Sequence, residues 1–348
     1  MLSMLQEPFQ YGNLTLRNNL FVSPLAGCSN LPFRIMMQKF GGPGLHYCEM
    51  VKMDALVRLD PDTLRILDNR RPEALSGGIQ PALGAQLVGS RVDLAADCVE
   101  ILQDMGFDAI DLNCGCPVDK VTKDGGGSGL LKTPHRIGEI LSEMVRVARV
   151  PISVKIRAGW HEGELIAPLI CQIAQEVGAT AIAIHGRTRM QGYRGPADWS
   201  SIAACRPLCT NIQLIANGDI CDGPSAINAF QTIQPDALLL SRATMGAPWI
   251  IEQTRAFLNK TPFHLYLQDV VSTMILHYRE AQKTMNYISA AIEMRKIVSW
   301  YLKPFTHLRD IKSSLAREKD PSKIEGLLLQ LQAIVEKGNL SVYPPETR

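Results

Sequence analysis

A chain of 348 residues can bury one large core and a smaller one without disulfide staples. Its 36 Lys+Arg against 34 Asp+Glu leave a net charge of +2, which neither demands nor excludes an anionic partner. The longest apolar runs, such as "AIAIH" and "DALLL", fall far short of the roughly 20 residues of a membrane span, so no membrane role is expected. The opening "MLSMLQEPFQYGNLTLRNN" breaks into polar and turn residues before an apolar signal core could form. With an odd number of cysteines, nine, it predicts a cytoplasmic protein with free thiols.

Short apolar runs rich in β-formers then alternate with stretches of helical periodicity. In chain order they are "NLFVSPLA" (19–26), "LHYCEMV" (45–51), "GAQLVG" (84–89), "AIDLNC" (109–114), "ISVKIR" (152–157), "AIAIHG" (181–186), "QLIANG" (213–218) and "ALLLSR" (237–242). Their apolar character is nearly continuous, as parallel strands buried on both faces require, and the intervals are long enough for crossover helices. Eight such units predict an α/β fold, a (β/α)8 barrel over residues 1–260. Special residues gather where the strands end: Cys114 and Cys116, Lys155 and Arg157, His185 and Arg187, Asn217, Arg242. In such barrels that end carries the active site. Farther on, "LQDVVSTMILHYREAQKT", "YISAAIEMRKIVSWYLK" and "PSKIEGLLLQLQAIVEK" read as amphipathic helices, so a small all-helical domain is expected over 261–348. From Arg279 to Arg317 eight basic residues face three acidic ones, a positive bias that the average hides.

The stretch "DLNCGCPVDK" (111–120) ends the fourth strand with two thiols. Three readings compete. A metal site needs about four ligands in tetrahedral array, and a C-x-C pair with no second pair nearby supplies half, so no metal is expected. Buried cysteines usually fill a core as small apolar groups, the reading preferred for Cys114. Cys116 lies between Gly115 and Pro117, where the chain leaves the strand and a thiol can reach a ligand. There a functional role stands beside the packing one.

"SPLAGCSNLPFR", "AQLVGS", "DLNCGCPVDKV", "GGGSGLL", "ISVKIRAGW", "IAIHGRTRMQGY" and "LIANGDI" together resemble the flavin-dependent tRNA-dihydrouridine synthases of bacterial type, from about residue 10 to 255. "MRKIVSWYLK" resembles that family's C-terminal helical domain. Two departures stand out. Leu25 occupies the place of a usual methionine and keeps its volume. Ser241 occupies the place of a glycine where backbone is expected to approach the flavin phosphate, which its hydroxyl could bond.

The resemblance implies a TIM barrel that binds FMN, uses NADPH as reductant, and reduces the C5–C6 double bond of a uracil in tRNA. After hydride reaches C6, charge develops on C5 and the C4 oxygen, and a proton must reach C5. A thiol, with a pKa near about 8.5, is mostly protonated at neutral pH and is a competent general acid. Cys116 is the expected donor. Lys155, mid-strand, is costly to bury unless it meets an anion, which the resemblance supplies as the reduced flavin; a salt bridge is the bland alternative. Gln86 is expected on the flavin ring, with Pro24, Leu25 and Ala26 lining it. Asn113 and His185 are expected at the polar edge of uracil, His185 also at the flavin, a satisfied core histidine being the alternative for His185. Asn217, Gly218, Asp219, Ser241 and Arg242 follow strands seven and eight, where such barrels commonly hold a phosphate. Gly125 to Gly129, in "KDGGGSGLL", lacks the lysine and Ser/Thr of a P-loop and reads as a mobile loop beside Cys116.

For RNA the candidates are Arg157, Arg187, Arg189 and Tyr193 at the rim and Arg295, Lys296 and Lys303 on the later helix. A solvated face is the bland reading of any one of them. The uridine is expected to enter flipped out of its stack, and the enzyme to be a monomer. The alternatives are an FMN oxidoreductase of a free dihydropyrimidine or enone, against which the basic helices count, and an RNA-binding protein without activity, against which Cys116 and Lys155 count.

Overall fold

The computed structural model describes residues 4–74, 79–337 and 341–343. An antiparallel hairpin comes first, β1 (Phe9–Tyr11) and β2 (Leu14–Leu16). Eight parallel strands follow: β3 (Leu20–Val22), β4 (Leu45–Lys52), β5 (Ala82–Val88), β6 (Ala109–Cys114), β7 (Ile152–Arg157), β8 (Ala181–His185), β9 (Gln213–Asn217) and β10 (Ala237–Leu240). They pair in sequence order and β10 closes on β3, so the barrel leaves no free edge. The TIM barrel expected from the alternation is the fold the chain adopts. β3 is shorter than its apolar run because Pro24 has no N–H for a ladder and the chain turns at once. There the N–H groups of Cys28 and Ser29 donate to the Leu25 carbonyl at 2.9 and 3.0 Å.

The barrel interior is layered. The hairpin plugs its N-terminal end, where Tyr11 and Phe9 meet Phe21 edge-on with ring centroids 5.4 and 6.0 Å apart. Ala109, Ala181, Ala183, Ile215 and Leu239 fill the middle. Toward the C-terminal end the interior turns polar, and strand register sets the neighbours: Gln86 beside Asp111, Asp111 beside Ser153, Asn113 beside Lys155, and His185 between Arg157 and Asn217. Alternate residues point the other way, so Leu112, Cys114, Val154 and Ile156 pack outward under the helices.

Helices Leu267–Thr284, Tyr287–Tyr301, Arg309–Arg317 and Pro321–Lys337 share a second core around Met274, Met294, Ile297, Leu315, Ile324 and Leu331. The third of these was not anticipated, since Leu315 is its only buried residue and leaves little period to read. Ala247 and Trp249, which follow β10, belong to this second core, which therefore starts before residue 260. Gly246 makes that junction: its φ is +77° and a Cβ there would meet the Trp300 carbonyl carbon at 2.5 Å. Of the expected helical segment, residues 338–340 and 344–348 lie outside the described residues. Among the described residues no helix is long and apolar enough to cross a membrane.

Candidate active site

The C-terminal ends of the strands open on a cleft of about 530 Å³, inside the range of about 300–1,000 Å³ for ligand pockets. Pro24, Leu25 and Ala26 form one wall. Gln86, Asn113, Cys116, Lys155, Arg157 and His185 come from the middle strands, and Asn217, Gly218, Asp219, Ser241 and Arg242 from the last two. Tyr193 and, from the helical layer, Lys303 complete it. Arg187 stands behind this lining, while Arg295 and Lys296 lie on helix Tyr287–Tyr301 away from it.

The two thiols part company. Cys114 is fully buried in the helix-facing core, and burial raises its pKa. Cys116 is half-buried and faces the cleft. Its peptide is held on both sides: the N–H donates to Asn113 Oδ1 at 2.8 Å, and the carbonyl accepts from Ser128 N at 3.0 Å and Ser128 Oγ at 2.9 Å. Gly125 to Gly129, read from the sequence as a mobile loop, pack against this peptide here. Gly127 has φ +55° and a Cβ there would meet the Cys116 carbonyl at 2.9 Å, and Ser128 is fully buried. These glycines allow close packing under the thiol. Ser128 was missed, since a serine among glycines carries no sequence signal of its own.

Asn113, expected to meet uracil, has its hydrogen-bonding capacity filled by protein. Oδ1 also accepts from Gly115 N at 3.0 Å, and Nδ2 donates to Gln86 Oε1 at 2.7 Å and approaches Met50 Sδ at 3.5 Å. It supports the Cys116 loop.

Burial and the Lys155, Arg157, Arg187 and Arg242 cations hold His185 neutral. Arg187 Nη1 donates to His185 Nε2 at 3.2 Å, which puts the ring proton on Nδ1. Arg187 also binds Asp219 through two bonds of 2.8 and 2.7 Å. Arg157 gathers the carbonyls of Gly115, Thr188 and Gly192 at 2.8, 2.9 and 2.8 Å. At 4 % and 2 % exposed, Arg187 and Arg157 brace the loops after β6 and β8, and Arg157 also lines the cleft. A rigid five-donor guanidinium suits that task. Lys155 differs: it is half-buried, and among the described residues it has no hydrogen-bond or ion-pair partner. Burial first, then Arg157, lowers its pKa to about 8.

At the β9 and β10 ends, Asn217 Nδ2 donates to Leu239 O at 2.6 Å and to Ser241 Oγ at 2.9 Å, and Ser241 Oγ lies 2.7 Å from Ser23 Oγ. The donors of Asn217 are thus taken by the barrel and not free for a phosphate. Ser241 bonds β9 and β3 together. The Asp219 carboxylate is likewise committed, to Arg187 and to Ala197 N at 2.7 Å. Arg242 is more open: its guanidinium stacks 4.4 Å over the Tyr193 ring and sits 3.9 Å from Asp219.

Lys296, expected on RNA, donates to Gly27 O and to Glu293 Oε2, both at 2.9 Å, and the buried Glu293 also accepts from Asn30 Nδ2 at 3.0 Å. It ties the helical layer to the loop that carries Pro24, Leu25 and Ala26. Arg295 uses Nε for Ala316 O at 3.0 Å and is otherwise exposed. Among the described residues no group of three or more His, Cys, Asp or Glu is placed to hold a metal ion.

Solved structures with the same fold include histamine dehydrogenase from Rhizobium sp. 4-9, TM-score 0.53 and 12% identity over 85% of this chain and 51% of that one. Another is an old yellow enzyme homologue from Zymomonas mobilis, TM-score 0.50 and 13% identity over 76% of this chain and 95% of that one. Similar sequences include "Probable tRNA-dihydrouridine synthase 1" of Synechocystis sp., 32% identical over 89% of this chain and 85% of the relative. "tRNA-dihydrouridine synthase B" of Pseudomonas putida is 33% identical over 84% of each. The family model described as dihydrouridine synthase matches residues 21–337, and the chain belongs to that family.

Proposed function

We propose that this chain reduces the C5–C6 double bond of uridines in tRNA to 5,6-dihydrouridine, with FMN in the cleft, NADPH as reductant and Cys116 as proton donor. The observation that carries the reading is the presence over one cleft of a thiol, Cys116, and an ammonium, Lys155, that has no partner among the described residues. Such a half-buried cation fits an anionic cofactor, because a bound negative charge relieves the cost of burying it.

FMN, when bound, supplies hydride to C6 of the uracil. Lys155 and Gln86 would hold its ring, Pro24, Leu25 and Ala26 its apolar surface, and Arg242 with the Gly218 backbone its phosphate. Cys116 holds the proton and releases it to C5 as negative charge builds there. His185, neutral with its proton on Nδ1, is a hydrogen-bond donor to the uracil edge and not an acid. The uridine enters flipped out of its stack, since the cleft lies within the barrel mouth. Tyr193 and Lys303 at the mouth meet the RNA, and the helical segment 261–348 binds the rest of the tRNA, with Arg295 on its open face. The enzyme acts as a cytoplasmic monomer without metal.

The test is purification followed by incubation with unmodified tRNA and NADPH, with mass spectrometry of the released cofactor and of the digested tRNA. A yellow protein that releases FMN and forms dihydrouridine only with NADPH is expected. A colourless protein that takes up no FMN, or turnover of free uracil compounds with tRNA untouched, overturns the reading.

A further inference from the structure

A chain of four buried side chains runs across the barrel to the Cys116 peptide. Ser153 Oγ donates to Asp111 Oδ1 at 2.7 Å, and Gln86 Nε2 donates to Asp111 Oδ2 at 2.7 Å. Asn113 Nδ2 donates to Gln86 Oε1 at 2.7 Å, and Asn113 Oδ1 accepts from Gly115 N and Cys116 N at 3.0 and 2.8 Å. Register places the members side by side on β5, β6 and β7. None is more than 7 % exposed.

The two ends of this chain have fixed character. Backbone N–H groups at the Cys116 end only donate, and an ionised carboxylate at the Asp111 end only accepts. Burial raises the Asp111 pKa to about 6, opposed by the Ser153 and Gln86 hydrogen bonds and by Lys155, so the carboxylate is mostly ionised at neutral pH. The two amides between the ends are symmetric in shape but not in polarity. Only one setting of both satisfies each end: the Gln86 NH2 toward Asp111 and the Asn113 NH2 toward Gln86.

We propose that Asp111 is a positioning residue for the reaction: through Gln86 it fixes which way the Asn113 amide faces, and so holds the peptide that presents Cys116 to the cleft. The catalytic meaning rests on the reading of Cys116 as proton donor; the hydrogen-bond relay itself does not.

Exchanging the carboxylate and the amide between positions 111 and 113 tests it. In Asn113→Asp the new carboxylate still accepts from Gly115 N and Cys116 N. Its other oxygen now needs the Gln86 NH2, which leaves Gln86 Oε1 facing Asp111, oxygen against oxygen. In Asp111→Asn alone, the new amide offers its oxygen to Gln86 and its NH2 to Ser153 Oγ, and the relay is kept. In the double variant the amide at position 111 turns its NH2 to the reversed Gln86, which donates to the carboxylate at position 113. The link through Gln86 is then restored with net charge unchanged. A side chain that merely fills space predicts no such reversal.

Two readouts keep the proposal separate from the proton-donor reading. Single-turnover uridine reduction by prereduced enzyme reports chemistry, and the alkylation rate of Cys116 by iodoacetamide, followed by peptide mass spectrometry, reports the loop alone. Asn113→Asp should slow uridine reduction by about 10- to 100-fold, the equivalent of a lost buried hydrogen bond to a charged group, and should speed alkylation. The double variant should recover at least about tenfold of the lost rate and the parental alkylation rate. Where Asn113→Asp does not fold, recovery of soluble flavin-loaded protein in the double variant is the corresponding result. Asn113→Asp at parental alkylation rate and activity, or a double variant no better than Asn113→Asp, overturns the proposal. If Cys116→Ala still reduces uridine normally, the proton-donor reading fails while the alkylation result still decides the relay.

Discussion

Lys155→Met should make the protein without cofactor more stable while weakening its hold on FMN. In the folded chain the Lys155 pKa is lowered from 10.5 to about 8. Such a displacement corresponds to about 3 kcal/mol against the charged form. The ammonium opens on a wet cleft, so a gain of about 1–3 kcal/mol on removing the charge is the expected range. The sign follows from the direction. A lysine whose folded pKa is depressed carries its full penalty where it must be protonated, below about 8, and loses it as pH rises toward 10.5. Urea denaturation of cofactor-free parent and variant at about pH 7 and about pH 10 should therefore show a stability difference that shrinks at the higher pH. Titration with FMN at neutral pH should show the opposite order, with weaker binding by the variant. A variant less stable than the parent at neutral pH, or a difference that does not change with pH, would refute the argument that Lys155 is kept for a bound anion.

Cys116→Ala should keep flavin and its reduction by NADPH while uridine reduction falls by at least about 100-fold, which stopped-flow measurement of the two half-reactions separates. Cys114→Ala should lower the melting temperature more than the activity, because its thiol only packs under the helices. Ser241→Ala should cost about 1–3 kcal/mol in thermal melts by leaving one Asn217 N–H and the Ser23 hydroxyl unpaired, and a double-mutant cycle with Ser23→Ala should be non-additive. Arg295→Ala should weaken tRNA binding and flatten its salt dependence by about one unit of log-log slope for each phosphate that the side chain neutralises in the parent. An unchanged slope would place the RNA elsewhere.

The parts of the fold that repeat were readable. β6 and β7 fall on the runs predicted for them, as do helices Leu267–Thr284 and Pro321–Lys337, because a twice-buried parallel strand is continuously apolar and a packed helix has a strong period. The hairpin Phe9–Tyr11 with Leu14–Leu16 escaped, since three-residue strands hold too little pattern. In the site, the sequence placed most candidates at the strand ends that open on the cleft, but not their hydrogen-bond partners. Asn113, Arg157, Arg187, Asn217 and Lys296 stand at the predicted places, yet their donors are taken by carbonyls, carboxylates and amides of the protein itself. A motif locates a polar side chain along a strand; which neighbour in space satisfies it is decided by register and by loops far off in sequence. Asp111 had the clearest unused signal, a carboxylate in the middle of a buried apolar strand.

Satisfaction of hydrogen bonds is also what separates support from chemistry in the cleft. A buried polar atom is costly unless paired, so a charged group that lines a cleft and is left unpaired there marks a place for something that binds. Around this cleft the amides of Gln86, Asn113 and Asn217 and the guanidiniums of Arg157 and Arg187 are engaged. Among the described residues Lys155 lacks a partner, Arg242 has a ring face and a carboxylate 3.9 Å away, and Cys116 is held by its peptide while its thiol faces the cleft. Two cations and one thiol call for an anion and a proton acceptor. The loop Pro24 to Ala26 that closes the same cleft is anchored from outside the barrel, by Lys296 on Gly27. The helical layer is therefore tied to this wall of the cleft directly, through Lys296 on Gly27 and Glu293 on Asn30, at 2.9 and 3.0 Å.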